Sequence, residues 1–400
     1  MNIKIHRGLD QIGGCITEIS TATSRIFVDM GSNLPGSGEQ MTNEEEHEYV
    51  ASLFSQNKKE NEAVIYTHAH EDHVGMFVHV PENVPQYIGE GGRDLLLAKY
   101  RTLLKAPLNA EDVASNNEKI RRLEVFRVWE RPIRRPKSFN IGDIAITPFY
   151  SCHSIYDSYM FLIEADGKRI WHTGDYRAHG YLGKGLVKVL SAYAKDIDVL
   201  ITEGTNLKKK KKCIHEREVS SKMSHVMQAF KYVFVLVSST DIDRLAAIKE
   251  AAKSAHKELY INSAYMKETM RIFTERESKV ADGLYEFHPK FATKRSLDKM
   301  KRDGFVLVTG VSKMADVESM CEHLPDNETI LIYSSWDGYY KTPEQVEVNP
   351  MYKRFRELFN NVVDIHTSGH ADRDTIKKVI DIVNPKDEVI IIHKEADASL

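Results

Sequence analysis

Short apolar runs recur along the chain, and several of them lead directly into histidines. Ala63–Tyr66 is followed by His68 and His70, and Ile144–Phe149 is followed by His153. Runs of this length, rich in β-branched and aromatic residues, are typical of buried strands. Because side chains that follow strands can converge at one edge of a sheet, the pattern predicts a site assembled from distant parts of the chain.

The middle of the chain alternates apolar runs with helical segments. The strand-like runs are Phe234–Val237, Glu258–Ile261, Phe305–Val308 and Thr329–Tyr333, and the helical segments include Ile242–His256 and Ala264–Glu275. Alternation of strands and helices at this spacing is typical of a parallel, doubly wound sheet.

The densest chemistry lies in Thr67–Gly75, directly after the first of these runs. His68, His70, Asp72 and His73 form the spacing His-x-His-x-Asp-His. Imidazole nitrogens and carboxylate oxygens are ligands that suit zinc and its first-row neighbours. A loop with this spacing can direct alternate side chains at two adjacent ions, so the segment predicts a metal site.

Composition limits the alternatives. The formal net charge is only −3, so binding of a polyanion would need a local positive groove. The four cysteines form no Cys-x-x-Cys pair and indicate free thiols in a reducing compartment. No signal peptide is seen, and no apolar run approaches the roughly 20 residues of a membrane helix. We therefore expect a soluble, cytoplasmic protein with no membrane partner.

The histidine-rich segment resembles the signature of the metallo-β-lactamase superfamily. The resemblance implies an α/β fold, an αββα sandwich with a two-metal site at the edge of its two sheets. Asp29 is similar to the family's first motif, an aspartate that fixes the orientation of a ligand histidine. His153 resembles the third motif, and Asp175 resembles the aspartate that bridges the two metals.

Motifs in the second half narrow the resemblance to the β-CASP branch, which includes ribonuclease J-like and other RNA-processing enzymes. Glu203, His370 and His393 stand in the order and contexts of its motifs A, B and C. Val235–Arg244 is similar to the branch's strand-to-helix turn of the type Ser-Asn/Thr-x-x-Arg. In that branch a histidine at motif C accompanies RNA-processing members, so the resemblance implies RNA as the substrate.

The same resemblance implies how the chain is divided. Residues 1–205 would form the first part of the metallo-β-lactamase domain, residues 206–365 an inserted β-CASP α/β domain with a parallel sheet, and residues 366–400 the return to the first domain. The return is needed because His393 must reach the metals. The active site is then expected in the cleft between the two domains.

Two divalent metal ions, most simply zinc with manganese as the alternative, are implied at this site. The implied ligands are His68, His70 and His153 for one ion, Asp72, His73 and His393 for the other, and Asp175 between them. Two ions ~3.5–4 Å apart can lower the pKa of a shared water and clamp both oxygens of an in-line displacement. A hydroxide that bridges the metals is therefore the expected nucleophile, with Asp72 and Asp175 as catalytic carboxylates.

The remaining candidates act on the substrate. We expect Glu203 to orient His370, which would serve as an acid or a phosphate clamp. Ser368 and Gly369 are candidates for a phosphate cradle, with an ordinary turn as an equal alternative. Arg244 is a candidate phosphate contact.

Hydrolysis of single-stranded RNA is the leading hypothesis. A DNA nuclease or small-substrate hydrolase on the same site, and a non-catalytic RNA-binding subunit, are the alternatives, although every expected ligand is present. The sequence leaves open the metal's identity, endo- or exonuclease action, RNA preference and a homo-oligomeric state.

Three further segments have two interpretations each. Lys208–Lys212 is a solvated linker or a contact for a nucleic-acid backbone. Trp336–Tyr340 carries aromatic side chains that could stack bases or block the channel. A basic cluster between Arg121 and Lys137, interleaved with aromatic residues, is a charged edge strand or a base-stacking surface.

Overall fold

The structure, a computed structural model, describes residues 1–129, 136–210, 212–277 and 281–400. Within these residues the chain folds as two compact units. The first comprises Met1–Cys213 together with Gly369–Leu400, and the second comprises Ile214–Ser368.

Strands and helices alternate through most of the described chain. The strands are β1 Asn2–Arg7, β2 Ile16–Ser20, β3 Ser24–Val28, β4 Asn61–Ile65, β5 Gln86–Gly89, β6 Arg127–Trp129, β7 Phe139–Ile141, β8 Ile144–Ser151, β9 Ser158–Ala165, β10 Lys168–His172, β11 Val199–Glu203, β12 Tyr232–Leu236, β13 Leu259–Ile261, β14 Lys290–Phe291, β15 Phe305–Thr309, β16 Thr329–Tyr333, β17 Val362–Asp364 and β18 Glu388–Ile392. The α-helices are α1 Asn43–Ser55, α2 Glu71–Val74, α3 Glu90–Leu103, α4 Ala110–Glu124, α5 Gly185–Tyr193, α6 Glu216–Ala229, α7 Ile242–Ser254, α8 Ala264–Glu277, α9 Leu297–Asp303, α10 Met314–Cys321, α11 Gly338–Lys341, α12 Pro343–Val348, α13 Pro350–Glu357 and α14 Arg373–Val383.

The first unit contains two six-stranded sheets. One has the order β1-β2-β3-β4-β5-β6 and the other the order β18-β11-β10-β9-β8-β7. Strands β3 to β6 run parallel to one another, and so do β10, β11 and β18. Because β18 comes from the C-terminal segment and pairs with β11, the end of the chain completes the second sheet.

Apolar side chains fill the space between these two sheets. Ile26 and Ile65 of the first sheet share one core with Phe161 and Ile170 of the second. All four are fully buried. Removal of this apolar surface from water is the main force that holds the two sheets together.

Helices cover the outer faces of both sheets. Trp171 of β10 packs with Leu190 of α5 and Val379 of α14. On the other side, Phe27 of β3 meets Phe54 of α1 with ring centroids 4.9 Å apart. Strands that are buried on both faces consist of continuous apolar runs, and this explains the apolar runs found in the sequence. The predicted αββα sandwich is therefore confirmed.

The second unit is built on one parallel sheet of order β14-β13-β15-β12-β16-β17. Phe234, Leu307 and Leu331 come from its central strands and form a core with Phe355 of α13. The predicted parallel α/β sheet is confirmed. β14 and β17 were not predicted, because strands of two or three residues carry no readable periodicity.

Candidate metal centre

Most candidate functional side chains of the first unit lie at the carboxyl ends of strands. They are Asp29 after β3, Thr67–Gly75 after β4, His153 after β8, Asp175 after β10, Glu203 at the end of β11 and His393 after β18. Asp29 and His393 adopt left-handed backbone conformations, with φ of 64° and 53°. Such conformations are uncommon outside glycine and concentrate where the surrounding structure imposes them at functional sites.

Three histidines form the first group of potential ligands. His70 Nδ1 lies 3.1 Å from His68 Nε2 and 3.2 Å from His153 Nε2. Nitrogens that share one zinc ion in tetrahedral coordination lie about 3.3 Å apart. The spacing of the three ring nitrogens therefore suits a single ion.

The second group contains Asp72, His73 and His393. Asp72 Oδ2 lies 3.0 Å from His393 Nε2 and 3.6 Å from His73 Nε2. The three side chains are buried.

Asp175 lies between the two groups. Its Oδ2 is 3.8 Å from His68 Nε2 and 3.7 Å from His153 Nε2 on one side. On the other side it is 3.2 Å from His73 Nε2 and 4.0 Å from His393 Nε2. One carboxylate oxygen thus reaches both ligand groups, as a bridging ligand must.

Two buried atoms test whether a metal fits. His73 Nε2 and Asp175 Oδ2 are buried and lie 3.2 Å apart, yet within the described residues neither makes a hydrogen bond of good geometry. A buried polar atom without a partner costs about 1–3 kcal/mol, so such atoms persist where a ligand satisfies them. These two atoms and the nitrogen and oxygen donors around them suit divalent metal ions.

The first group has the protonation state that metal binding requires. Burial lowers the pKa of His68 and His153 well below the ordinary imidazole range, and that of His70 to about 4. Neutral imidazoles present lone pairs, which are the form that binds a metal ion.

The second group behaves differently. Burial opposes ionisation of Asp72, but His73 and His393 together outweigh it and lower the pKa of Asp72. Burial by itself would lower the pKa of His73. The nearby carboxylates of Asp175 and Asp72 outweigh burial, and the pKa of His73 lies well above the usual range. A proton on His73 and a metal ion therefore compete for the same carboxylates.

Asp29 is placed where its predicted orienting role requires. Its Oδ2 accepts a hydrogen bond from His73 Nδ1 at 2.8 Å. The hydroxyl of Thr67 donates to Asp29 Oδ2 at 2.8 Å. The Oγ1 atom of Thr67 also lies 2.9 Å from His68 Nδ1. Asp29 thus holds one ligand histidine directly and a second one through Thr67.

Thr205 has a comparable position that the sequence did not indicate. Its Oγ1 lies 2.6 Å from His393 Nδ1 and 3.1 Å from His370 Nδ1. Thr67 was missed in the same way, because a threonine hydroxyl is not a usual metal ligand. Cys15, interpreted as a free thiol, lies close enough to His73 and His393 for the three to hold an ion together.

Glu203 and His370 are brought together as predicted. Glu203 is buried, and its Oε2 accepts a hydrogen bond from His370 Nδ1 at 3.0 Å. The same ring nitrogen is 3.6 Å from Asp175 Oδ2. Burial lowers the pKa of His370, but Glu203 and Asp175 outweigh it and raise that pKa above the ordinary value. The pair can therefore hold a proton beside the metal ligands.

Gly369 takes part in the metal centre through its backbone. Its carbonyl accepts a hydrogen bond from His153 Nδ1 at 2.8 Å. A Cβ at this position would lie 2.2 Å from Ser154 Oγ, so only glycine allows the approach. The phosphate cradle expected from Ser368 and Gly369 stays a prediction.

The prediction of a phosphate contact at Arg244 is wrong. Arg244 is fully buried, and its Nε and Nη2 donate to Glu216 at 2.9 and 3.0 Å. Nη1 donates to Ser334 Oγ at 2.6 Å, and Nη2 also donates to the carbonyl of Thr367 at 3.0 Å. A guanidinium engaged in this way cannot reach a substrate phosphate. The sequence motif marks a structural ion pair instead.

Some of the described residues in the basic segments form ion pairs. Lys208 pairs with Glu395 and Asp397, and Lys212 pairs with Asp374. In the second basic segment Arg121 pairs with Glu82 and Glu118. Lys211, Arg131, Arg134 and Arg135 lie outside the described residues.

The two facing sheets, with histidines and carboxylates at their strand ends, define a metallo-hydrolase fold of the αββα class. Residues 51–235 match the β-lactamase superfamily domain, and residues 360–400 match the Zn-dependent metallo-hydrolase RNA specificity domain. The chain belongs to the ribonuclease J-like β-CASP branch of the metallo-β-lactamase superfamily.

Individual relatives agree with this assignment. The chain is 21% identical over 401 residues to ribonuclease J of Helicobacter pylori, with 95% of this chain and 54% of the relative covered. It is 23% identical over 427 residues to an RNase J-like protein of Methanocaldococcus jannaschii, with 100% and 93% covered. The chain spans about half the length of the Helicobacter pylori protein.

A solved structure shares the fold. The crystal structure of a protein of unknown function from Enterococcus faecalis V583 superposes with a TM-score of 0.70 at 15% identity, over 99% of this chain and 94% of that chain. Among the described residues, no helix is both long and apolar enough to cross a lipid bilayer.

Proposed function

We propose that this protein is a ribonuclease that hydrolyses phosphodiester bonds of single-stranded RNA, with two zinc ions at its metal centre. The observation that carries the proposal is the position of Asp175 Oδ2, 3.2 Å from His73 Nε2 and 3.8 Å from His68 Nε2. The match to the RNA specificity domain and the ribonuclease J relatives support RNA as the substrate.

The chain's own residues set the geometry of the reaction. Two divalent ions would supply a water of lowered pKa and positive charge for the phosphate oxygens. Asp72 and Asp175 would offset the charge of these ions, and Asp29 holds the His73 ring in one orientation. His370, held at Nδ1 by Glu203, would donate a proton from Nε2 to the leaving oxygen.

Matched RNA and DNA strands, labelled at the 5′ or the 3′ end, test the proposal. We expect His70→Ala to abolish RNA cleavage and His370→Ala to slow it by about 10²–10⁴-fold, the usual range for general acid catalysis. His288→Ala is the control, since its side chain is 73% exposed and lies on the second unit. It should leave the rate unchanged.

Each other outcome has a defined meaning. Intact RNA and DNA with zinc, manganese and magnesium would refute the nuclease. Equal cleavage of DNA would favour the DNA nuclease alternative. Tight RNA binding without turnover would favour a binding subunit.

A further inference from the structure

We propose that the second unit carries a stacking platform for bases of single-stranded RNA, formed by Trp336, Tyr339, Tyr352, Lys353 and Arg354. The platform rests on the proposed function, since it assumes that RNA is the substrate. It is separate from the metal ligands, all of which belong to the first unit.

Trp336 is held in place but not covered. It is 40% exposed, although it is among the most apolar of large side chains. Its indole lies against Gly338, where a Cβ would come within 2.2 Å of Cζ2. The hydroxyl of Tyr333 donates to the carbonyl of Trp336 at 3.1 Å and fixes the backbone. A fixed, exposed indole presents a flat face at little further entropic cost.

The ring of Trp336 continues into two tyrosines. Trp336 and Tyr339 meet edge to face, with centroids 5.2 Å apart and an interplanar angle of 77°. Tyr339 stacks on Tyr352 of α13 at 4.3 Å and 14°. The three rings therefore form one ordered aromatic surface, which accepts any base because every base has a π-face.

Two exposed cations share the helix α13 with Tyr352. Lys353 and Arg354 follow Tyr352 directly on α13 and are exposed. Within the described part of the chain neither forms an ion pair. Exposed cations on the helix that carries one of the stacked rings match a strand that offers unpaired bases and anionic phosphates.

Tryptophan fluorescence gives a direct test, because the chain contains only three tryptophans. Trp171 is fully buried and Trp129 is half-buried, so stacking on the exposed Trp336 should dominate any quenching. The full chain carrying His70→Ala would be titrated with 20-nucleotide oligoadenylate. We expect quenching by this RNA that Trp336→Phe largely removes. An abasic ribose-phosphate chain of equal length should not quench.

Affinity gives the second readout. We expect Trp336→Ala to weaken oligoadenylate binding by about 5- to 150-fold, the range for one stacked base. Phe291→Ala, at another exposed aromatic residue of the same unit, should change it less than twofold. A plot of log affinity against log salt concentration has a negative slope. Replacing Lys353 and Arg354 by glutamine should make this slope shallower by about 1.4. Lys222→Gln, where the lysine already pairs with Glu218, is the charge control.

The outcomes separate this proposal from the previous one. Quenching that persists in Trp336→Phe, or an unchanged affinity in Trp336→Ala, overturns the platform even if RNA is cleaved. Trp336-dependent quenching supports the platform even if the wild-type chain cleaves no RNA, in which case only the nuclease fails. Equal binding of the abasic chain would reduce the surface to a charge contact and overturn the stacking.

Discussion

Two buried polar clusters, one in each compact unit, differ in how completely the chain satisfies them. In the second unit Arg244 donates to Glu216, Ser334 and Thr367. In the first unit His73 Nε2 and Asp175 Oδ2 make no hydrogen bond of good geometry within the described residues. Both clusters produce recognisable sequence motifs.

The difference lies in the balance of donors and acceptors. Around Arg244, the guanidinium supplies only donors, and the carboxylate and carbonyls supply acceptors. At the metal centre, imidazole nitrogens and carboxylate oxygens crowd together, and protons on His73 and His393 are the main donors to those oxygens. The Arg244 cluster is complete within the protein, whereas the metal centre is complete only with cations. A motif therefore indicates a ligand site when its buried acceptors outnumber its donors.

The largest effect is expected from Arg244→Met. Removal of the guanidinium leaves the Glu216 carboxylate buried and unpaired, which costs about 3–5 kcal/mol of folding free energy. Urea unfolding of the full chain would measure the loss. The double variant with Glu216→Leu should recover part of it. A loss below about 1 kcal/mol for Arg244→Met would show that the ion pair is not structural.

Metal removal should lower the stability of the metal centre and leave the Arg244 cluster unchanged. If the free metal concentration is 100 times its Kd, a chelator should remove about 2.7 kcal/mol of stability. Hydrogen exchange would locate the effect. We expect faster exchange in Thr67–Val74 and no change in α7, where Arg244 lies. An equal change in both regions would contradict the contrast between the clusters.

The parts of this comparison that the sequence predicted are those encoded locally. His68, His70, Asp72 and His73 share one loop, so their spacing alone indicated a common ligand site. The strands were visible as apolar runs because both faces of their sheets are covered.

The parts that the sequence did not predict depend on packing between distant segments. Arg244 was assigned to phosphate because its motif does not show that Glu216 lies beside it in the fold. Thr205 acts on His393, which is 188 residues away. The sequence also does not show that Gly338 leaves room for the indole of Trp336.

A smaller effect is expected from Asp29→Asn, which keeps the shape of the side chain and removes its charge. Asparagine also tolerates the left-handed backbone at this position, so the fold should be unchanged. We expect metal affinity to fall by about 10- to 100-fold, as is usual for loss of a carboxylate that orients a ligand histidine. Competition with a chromophoric chelator would measure it. Asp166→Asn, at another left-handed aspartate, is the control and should bind metal normally.

The smallest effect is expected from Thr205→Val, which removes one hydroxyl and keeps the volume. Loss of the 2.6 Å contact to His393 Nδ1 should weaken metal binding by about 2- to 13-fold, the equivalent of one net hydrogen bond. Thr205→Ser retains the hydroxyl and should bind metal like the wild type. Equal affinities for the valine and serine variants would mean that the backbone alone positions His393. A difference between them would show that the metal centre is oriented by neutral hydroxyls as well as by Asp29, and therefore that its ligand set extends beyond the residues a motif can reveal.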